Sequence, residues 1–588
     1  MSRRRAWCAL ALVALLLAAT AAAAQEPPPS PAEEAPEFEP GPRVAGLTDS
    51  LELDAGIRVI IEDGRRIALS VTPDKGEDYA SLARRLCGSD EKAPALASAN
   101  GGRAPEAPIE VPWDLLREEY RYLALRALFP ADRFAAGAWE HVPSAARALV
   151  YGEGLWQVAL WFTGDGERWQ AVGQANGFAG PDLPRDRAVR IPAQLLLPLF
   201  RPVAKSADGT LEYVERDGQA FAVYRLRRGE ALYSGVVLRF TEMVRPDDVL
   251  AASETIARAS AIADVTKIPA GARILVPLEL LAPRHLPANH PRQVAARIQE
   301  SELAQTAVPA PPPTLAGVHV LLDPGHGGDD VGARNSRIWE SDYVYDVACR
   351  VKRLLEREPG VTVHMLARDT KRGFAVSDRT KLAQAKSVVL QTTPPHRNRR
   401  GRSTVMGVNL RWYLANSIFR RLTTKEKVAP GKVVFISLHA DSLHKSVSGG
   451  MVYVPGERYR RGSYGVNSAA YKRYQEWREA PTVSFTRAER LRDEATSRLL
   501  AREILAGYRE HDLPVHEQDP VRDHIVRGTK RPRPWAPAIL RGNAVPAKVL
   551  LETLNINNHE DARLLEAPDG RERLARAVVS GLRRFFDS

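Results

Sequence analysis

The chain has 588 residues, of which 44% are hydrophobic, and its formal net charge is +12. The length far exceeds the roughly 100–200 residues of a single domain, and the hydrophobic share excludes a wholly disordered or fibrous chain. The positive charge suits an anionic partner such as a cell wall or a membrane surface. Beyond the N-terminal segment the cysteines are Cys87 and Cys349. Two distant cysteines exclude a disulfide scaffold, and we expect both to be buried small apolar residues.

The N-terminus has the pattern of a secretory signal peptide. Three arginines precede an apolar run over residues 6–19, and the alanines at 22–24 offer small residues for cleavage. The run is short for a membrane span of about 20 residues. We therefore expect removal of residues 1–24 and a periplasmic or secreted protein with a charge of about +9. We expect the protein to meet the membrane only while it is exported, and export argues against nucleic acid as a partner. The sequence leaves both Sec and twin-arginine export open.

Two proline-rich segments divide the rest of the chain. Residues 25–45 combine Pro with Glu and Ala, which predicts a disordered lead-in. The proline cluster at 307–317 predicts a semi-rigid spacer, and we assign 291–316 to a linker between the two regions. Folded domains are expected between these segments and after the second one.

The region between the proline segments contains a weak repeat. Three segments end almost alike: IEVPWDLL (109–116), VRIPAQLL (189–196) and ILVPLELL (274–281). Each copy opens with Gly-Glu, and the first two also share Ala-Asn-Gly, at 99–101 and 175–177. Helix-period patterns lie between these ends, and the closing segments are short β-rich runs stopped by proline.

A β-run, two short helices and a second β-run resemble LysM modules, which are small glycan-binding units. On this basis we assign 46–120 to a first module with a preceding hairpin, 145–200 to a second module, and 205–290 to a hairpin with a third module. Asp-Gly turns within 57–71 and 211–226 predict the hairpins. Another α+β repeat with a structural role is the alternative, and glycan binding by each copy stays open.

From Val318 onward, polar side chains follow strongly apolar strands. VHVLLDPGHGG predicts a buried strand that ends in a glycine turn at His326, and the apolar helix pattern that follows begins at Glu340. KVVFISLHAD (432–441) predicts a second strand ending near His439, and AKVLLETLNINN (547–558) a third carrying Glu552. Because catalytic groups lie at the carboxyl edge of such sheets, these four side chains are expected to meet.

Two imidazoles and one carboxylate, with one position left open, form a known catalytic zinc arrangement. A further carboxylate that need not bind the metal is suited to act as general base. Taken alone, each residue has an ordinary interpretation as a surface or capping group, but the combination with the glycine turn argues for a site. Asp323, Asp329 and Asp441 are candidates for orienting the histidines.

The motifs LDPGHGG, LARD (366–369), NLRWYLAN (409–416), SLHAD and PAKVLLE resemble the zinc-dependent N-acetylmuramoyl-L-alanine amidases of the cell-separation type, the amidase_3 family. The resemblance implies a domain over 317–588 with an α/β fold, a mixed sheet flanked by helices. It implies a zinc ion held by His326, Glu340 and His439, with Glu552 as catalytic acid/base. The implied reaction cleaves the bond between N-acetylmuramic acid and L-alanine in peptidoglycan, for wall turnover and daughter-cell separation.

Two inserts depart from the family's spacing. The basic insert at 371–408 is expected to be a solvated loop, with contact to anionic wall polymer as the alternative. The charged insert at 456–492 stands where relatives carry a helix that covers the active site until a partner removes it. We expect either such an autoinhibitory helix, relieved by an activator protein, or an ordinary helical excursion.

Two other functions remain open from sequence. One is a different zinc peptidase or deacetylase acting on the wall, because metal ligands alone do not define the bond that is cut. The other is a non-catalytic wall-binding or amidase-regulating protein, against which the intact set of four candidate residues argues.

Overall fold

The computed structural model describes residues 49–587, except for 55, 63–65, 143–153, 184–186, 400 and 529–533. The predicted signal peptide and lead-in lie outside the described residues. Within this part of the chain, no helix combines the length and the apolar character that crossing a membrane requires.

The N-terminal region contains three small units of similar design, and in each a strand that follows two helical segments closes an antiparallel sheet. The elements of the first unit are β1 (Asp49–Asp54), β2 (Ile57–Glu62), β3 (Arg66–Val71), α1 (Tyr79–Cys87), α2 (Ala93–Ala99) and β4 (Ile109–Pro112), followed by α3 (Glu118–Leu128). Those of the second are β5 (Arg133–Ala135), β6 (Ala138–His141), α4 (Leu155–Thr163), α5 (Trp169–Asn176) and β7 (Val189–Pro192). Those of the third are β8 (Glu212–Arg216), β9 (Gln219–Arg225), a π-helical turn (Leu232–Val237), a helical turn (Leu238–Phe240), α6 (Pro246–Ala259) and β10 (Arg273–Pro277). The predicted small α+β units are therefore present, while their LysM character stays a prediction.

The shared Ala-Asn-Gly motif has a structural reason. The Asn100 side chain donates to the carbonyls of Leu96 and Glu110 and accepts from the Glu110 N–H, at 2.8–2.9 Å. Asn176 repeats the pattern with Val172 and Arg190. One amide thus joins the end of the second helix to the closing strand of its unit and satisfies strand groups that would otherwise lack partners.

The third unit reaches the same result without an asparagine. Ser260 stands at the end of α6, and its hydroxyl accepts from the N–H of Leu275 on β10 at 2.9 Å. The Gly-Glu motif is also explained, since Glu77 and Glu230 each accept from a backbone N–H three residues earlier. These glutamate bonds close the loop that precedes the helices of the first and third units. The two units therefore share these hydrogen bonds even where their sequences differ.

The assigned linker differs from the observed structure. Residues Pro291–Gln305 form helix α7, and Val294 and Ile298 on this helix are buried in the core of the first two units. An extended segment begins only after this helix, where the prolines cluster. The sequence pattern does not predict this helix, because its apolar residues are few and polar residues separate them.

The C-terminal region is built on a six-stranded mixed sheet, as predicted. The order is β12-β11-β15-β20-β16-β19; β12, β11, β15 and β20 run parallel, and β16 is antiparallel to β20. The strands of the region are β11 (His319–Pro324), β12 (Thr362–Met365), β13 (Ala367–Asp369), β14 (Val388–Leu390), β15 (Val433–Asp441), β16 (Met451–Tyr453), β17 (Ser463–Gly465), β18 (Thr482–Ser484), β19 (Val521–Arg522) and β20 (Ala547–Asn555). The helices are α8 (Glu340–Leu355), α9 (Arg402–Arg420), α10 (Gln475–Glu479), α11 (Arg487–Glu510), α12 (Ala538–Arg541), α13 (His559–Glu566) and α14 (Pro568–Asp587).

The two faces of this sheet are covered differently. One face packs against α8, α11 and α14. The other packs against α9 and is continuous with the core of the third N-terminal unit, in which Val244 and Val249 belong to the same apolar cluster as Leu443, Met451 and Tyr453. The third unit is therefore part of the body that carries the sheet, rather than a separate module.

A partly buried charge group also joins the third unit to the sheet region. His524 Nδ1 lies 2.5 Å from Asp523 Oδ1, and its Nε2 lies 3.7 Å from Glu242 Oε2. Burial tends to lower the pKa of His524, but the bonds and charges of Asp523 and Glu242 outweigh it and raise this pKa to about 9. Tyr459 packs on the imidazole, and Arg498 pairs with the other oxygen of Asp523. A cationic imidazole thus holds two elements of different regions together.

His524→Gln tests this contact through pH. Because the folded-state pKa is raised, the stabilisation is complete below about pH 6.5 and is lost as the pH rises through about 9; a shift of this size corresponds to on the order of 3 kcal/mol. The melting temperature of the variant should fall below that of the wild type at pH 6 and approach it at pH 10. His559→Gln, at an exposed site, is the control, and a deficit independent of pH would contradict the assignment.

Candidate metal centre

The four predicted residues come from separate elements that meet at one edge of the sheet. His326 lies in the turn after β11, in the left-handed region with φ of 61°. Glu340 is the first residue of α8, and His439 and Glu552 are register partners on the adjacent parallel strands β15 and β20. The parallel order therefore brings together residues that lie up to 226 positions apart in the sequence.

Three of these side chains converge on one point. His326 Nε2 lies 3.2 Å from one carboxylate oxygen of Glu340, and His439 Nδ1 lies 2.8 Å from the other. The two imidazole rings are 4.9 Å apart and nearly perpendicular. One ligand atom from each residue lies within 4.8 Å of the other two, so His326, Glu340 and His439 could hold one metal ion.

Two glycines leave the room that this convergence requires. A Cβ atom at Gly325 would stand 2.5–2.8 Å from three atoms of the His439 ring. A Cβ at Gly332 would stand 2.6 Å from Cδ2 of His326 and would also collide with the Glu340 carboxylate. The glycines thus hold the ligands closely in place, which favours a preformed site.

The electrostatics of the site also fit a cation. Burial favours the neutral form of Glu340, but the charges and hydrogen bonds of His326 and His439 outweigh it and lower its pKa far below the ordinary value. Burial raises the pKa of Asp441 to about 7, with the charge of Glu340 adding to the effect. Burial and the charges of Asp441 and Glu340 raise the pKa of Glu552 well above its ordinary value. Because these three carboxyl groups lie close together, a bound cation would stabilise their ionised forms.

Glu552 has the properties that general acid/base chemistry needs. Its side chain is partly open to solvent, whereas its Oε2 atom is buried and has no hydrogen-bond partner among the described residues. Oδ2 of Asp441 is also buried without a partner in the described part of the chain. A buried oxygen without a partner is costly in a protein that does not use it.

The group that orients His326 is Asp330, not the predicted Asp329. Asp330 Oδ2 lies 3.0 Å from His326 Nδ1, the ring nitrogen that points away from Glu340. The Asp329 side chain instead lies 3.6 Å from a guanidinium nitrogen of Arg397. Burial raises the pKa of Asp330, but the bond to His326 and the charge of that ring outweigh it and lower the pKa. Sequence periodicity does not separate two consecutive aspartates in a turn, because their directions depend on local dihedral angles.

Asp323 does not bond to the histidines either. It accepts from Nη1 of Arg411, and from the Ser437 hydroxyl at 2.7 Å. Arg411 also donates to the carbonyls of Pro324 and His326. The arginine of the NLRWYLAN segment therefore fixes the metal-site turn from α9, a role that motif matching alone did not reveal.

The basic insert at 371–408 is not a free solvated loop. The Asn398 carbonyl accepts from the N–H of Asp329 at 3.0 Å, and the Asn398 amide donates to the Gly327 carbonyl at 3.2 Å. Gly328 N–H donates to the Ala385 carbonyl at 3.1 Å. The insert packs over the turn that carries His326 and supports it.

The second insert, 456–492, packs mainly on α9 and the loop before it. Tyr474 is buried and bonds through its hydroxyl to His396 at 2.7 Å, and Glu476 accepts from the N–H of Thr393 at 2.8 Å. Within the described residues, no hydrogen bond or ion pair joins this insert to the four candidate residues. Its only α-helix before α11 is α10, so a helix over the active site stays a hypothesis.

Asp330→Ala tests the orientation of His326. Loss of the partner of Nδ1 should weaken the binding of an added divalent metal ion about 10–100-fold, because such groups fix the direction and basicity of a metal-binding ring. Asp329→Ala is the matched control and should bind the same ion like the wild type. Titration against a competing chelator measures both affinities, and equal losses in the two variants would refute the role of Asp330.

The candidate site lies in a part of the chain that resembles a known protein family. Residues 320–584 match the sequence model of the Amidase_3 family, described as N-acetylmuramoyl-L-alanine amidase. The match contains all four candidate residues and the whole six-stranded sheet apart from the first residue of β11. No curated protein matches the chain significantly.

Solved structures of amidases are also similar to this chain. The amidase Ami1 from Mycobacterium smegmatis is 19% identical, with a TM-score of 0.27, over 46% of this chain and 98% of that one. The CwlD amidase from Clostridioides difficile, solved in complex with the GerS lipoprotein, is 17% identical, with a TM-score of 0.28 and coverage of 46% and 98%. AmiC2 of Nostoc punctiforme is 17% identical, with a TM-score of 0.25 and coverage of 46% and 99%.

Proposed function

We propose that the protein is a zinc-dependent peptidoglycan amidase, because residues 320–584 match the Amidase_3 family of N-acetylmuramoyl-L-alanine amidases. His326, Glu340 and His439 would hold the ion and Glu552 would move the proton. The observation that supports the proposal most is the convergence of three ligand atoms beside a carboxyl oxygen that is buried and unpaired. The substrate would be the amide bond between N-acetylmuramic acid and L-alanine.

Each residue of the site would have a separate role in the hydrolysis. A bound zinc ion would supply a Lewis acid that activates water and polarises the carbonyl group. Glu552 would accept the proton of the attacking water and pass it to the leaving amine. Asp330 and Arg411 would keep His326 and its turn in place while this happens.

The bond that is cut distinguishes this reaction from other zinc hydrolases of the wall. The zinc-loaded chain should release intact stem peptides from purified peptidoglycan and leave glycan strands without peptides. Mass spectrometry of the digest measures both products. Shortened peptides would instead indicate a peptidase, and deacetylated sugars a deacetylase.

Glu552→Gln should retain zinc and lose at least about 100-fold of the activity, because only the proton carrier is removed. Glu560→Gln, at an exposed position just beyond the same strand, is the control and should behave like the wild type. Normal turnover by Glu552→Gln would exclude Glu552 from the reaction. If neither the wild type nor Glu560→Gln digested peptidoglycan, the enzyme proposal would fall in favour of a non-catalytic wall protein.

The N-terminal units would bind the glycan, and the protein would act outside the cytoplasm in wall turnover and cell separation. The resemblance to LysM modules and the basic charge support this proposal. The inactive Glu552→Gln chain should sediment with purified sacculi, and soluble N-acetylglucosamine oligomers should displace it. If the oligomers left the binding of the chain to sacculi unchanged, the N-terminal units would have a structural role instead. An activator protein acting on residues 456–492 also remains a proposal.

A further inference from the structure

The third N-terminal unit reaches the edge of the sheet where the candidate metal centre lies. The Val244 carbonyl accepts from the N–H of His444, three residues after the end of β15, at 2.9 Å. The ring of Tyr233, also in the third unit, stacks on the His444 imidazole with 5.5 Å between centroids and 22° between planes. A backbone bond and a ring contact thus fix this unit against the loop that follows the metal-site strand.

Two further contacts hold segment 242–248 of the third unit, which runs into the first turn of α6. Its Glu242 carbonyl accepts from Nη1 of Arg522, on β19, at 3.5 Å. Its Asp248 carboxylate accepts from the N–H of Gly528 at 3.0 Å. The segment is therefore attached near both ends and at Val244, and Arg245 lies between these attachments with its side chain exposed.

Arg245 carries a charge that has no partner in the described part of the chain. Among the described residues its guanidinium forms no hydrogen bond, ion pair or ring contact. Its chain neighbour Val244 accepts from the N–H of His444, and the Arg522 guanidinium donates to the Glu242 carbonyl of the same segment. Both arginines therefore lie beside the loop that follows β15, the strand that carries His439.

Within the ranges that the structure describes, Arg522 likewise has no carboxylate partner. Its hydrogen bonds go to the backbone carbonyls of Asp519, Gln518 and Glu242. A third arginine, Arg527, directly precedes Gly528, whose N–H donates to the Asp248 carboxylate of the same segment. Three like charges gathered at one rim repel one another, and an anionic ligand would relieve this repulsion.

We propose that Arg245 of the third unit, together with Arg522, binds a carboxylate on the peptide side of the scissile amide. The inference rests on the proposed amidase function. The sugars of the glycan strand are uncharged once their lactyl groups carry peptides, whereas the stem peptide carries free carboxyl groups. A guanidinium pair is suited to bind a carboxylate through charge-assisted hydrogen bonds. The third unit thus supplies a specificity residue from outside the family domain.

The test compares two synthetic N-acetylmuramoyl peptides that differ only in their peptide carboxyl groups, free in one and amidated in the other. The full zinc-loaded chain should cleave the free acid with a kcat/KM about tenfold higher. Arg245→Ala should bring this ratio close to one, mainly by raising KM for the acid, and Arg245→Lys should retain part of the preference. Arg258→Ala, at the exposed far end of α6, is the matched control and should keep the full ratio.

Calorimetry gives a second readout that does not depend on turnover. The free-acid stem peptide should bind to the metal-free Arg245→Ala chain about tenfold more weakly than to the metal-free wild type, while the melting temperatures of the two chains agree. A wild type that cleaves both substrates equally well, or an Arg245→Ala variant that keeps the preference, overturns the inference and leaves the amidase proposal standing. A wild type that cleaves neither substrate removes the proposed function and the inference with it.

Discussion

The carboxylate of Glu340, buried between two imidazoles, is the interaction on which the site depends. Each of its oxygens faces one histidine nitrogen and also accepts a backbone N–H, from Ala333 or Ala440. A buried carboxylate is tolerated only when positive charge and hydrogen bonds compensate for its lost hydration. The glycine turn, the start of α8 and the end of β15 are therefore constrained together, and the surrounding elements serve to keep these three points in register.

Much of this arrangement could be predicted because it follows from sheet topology. Apolar runs that end in His or Glu indicate buried parallel strands, and such strands place their carboxyl ends at one edge. His439 and Glu552 are neighbours for this reason alone. The six-stranded mixed sheet with its flanking helices agrees with the same reasoning.

Other features depend on geometry that no local pattern encodes. The choice between Asp329 and Asp330 follows from dihedral angles within one turn, and the role of Arg411 depends on where α9 crosses that turn. Helix α7 has too narrow an apolar stripe to be recognised in a proline-rich neighbourhood. The contact of the third unit with the sheet depends on buried apolar area shared across some 200 residues of sequence, which periodicity does not report.

The shared core of the third unit and the sheet has a consequence for how such a protein can be rearranged by recombination. A break at the proline cluster would leave the apolar side chains of Leu443, Met451 and Tyr453 facing water. The smallest C-terminal fragment whose apolar core stays covered therefore begins with the third unit. The first two units share a separate core with α7, so their removal would leave the apolar core of the third unit and the sheet closed.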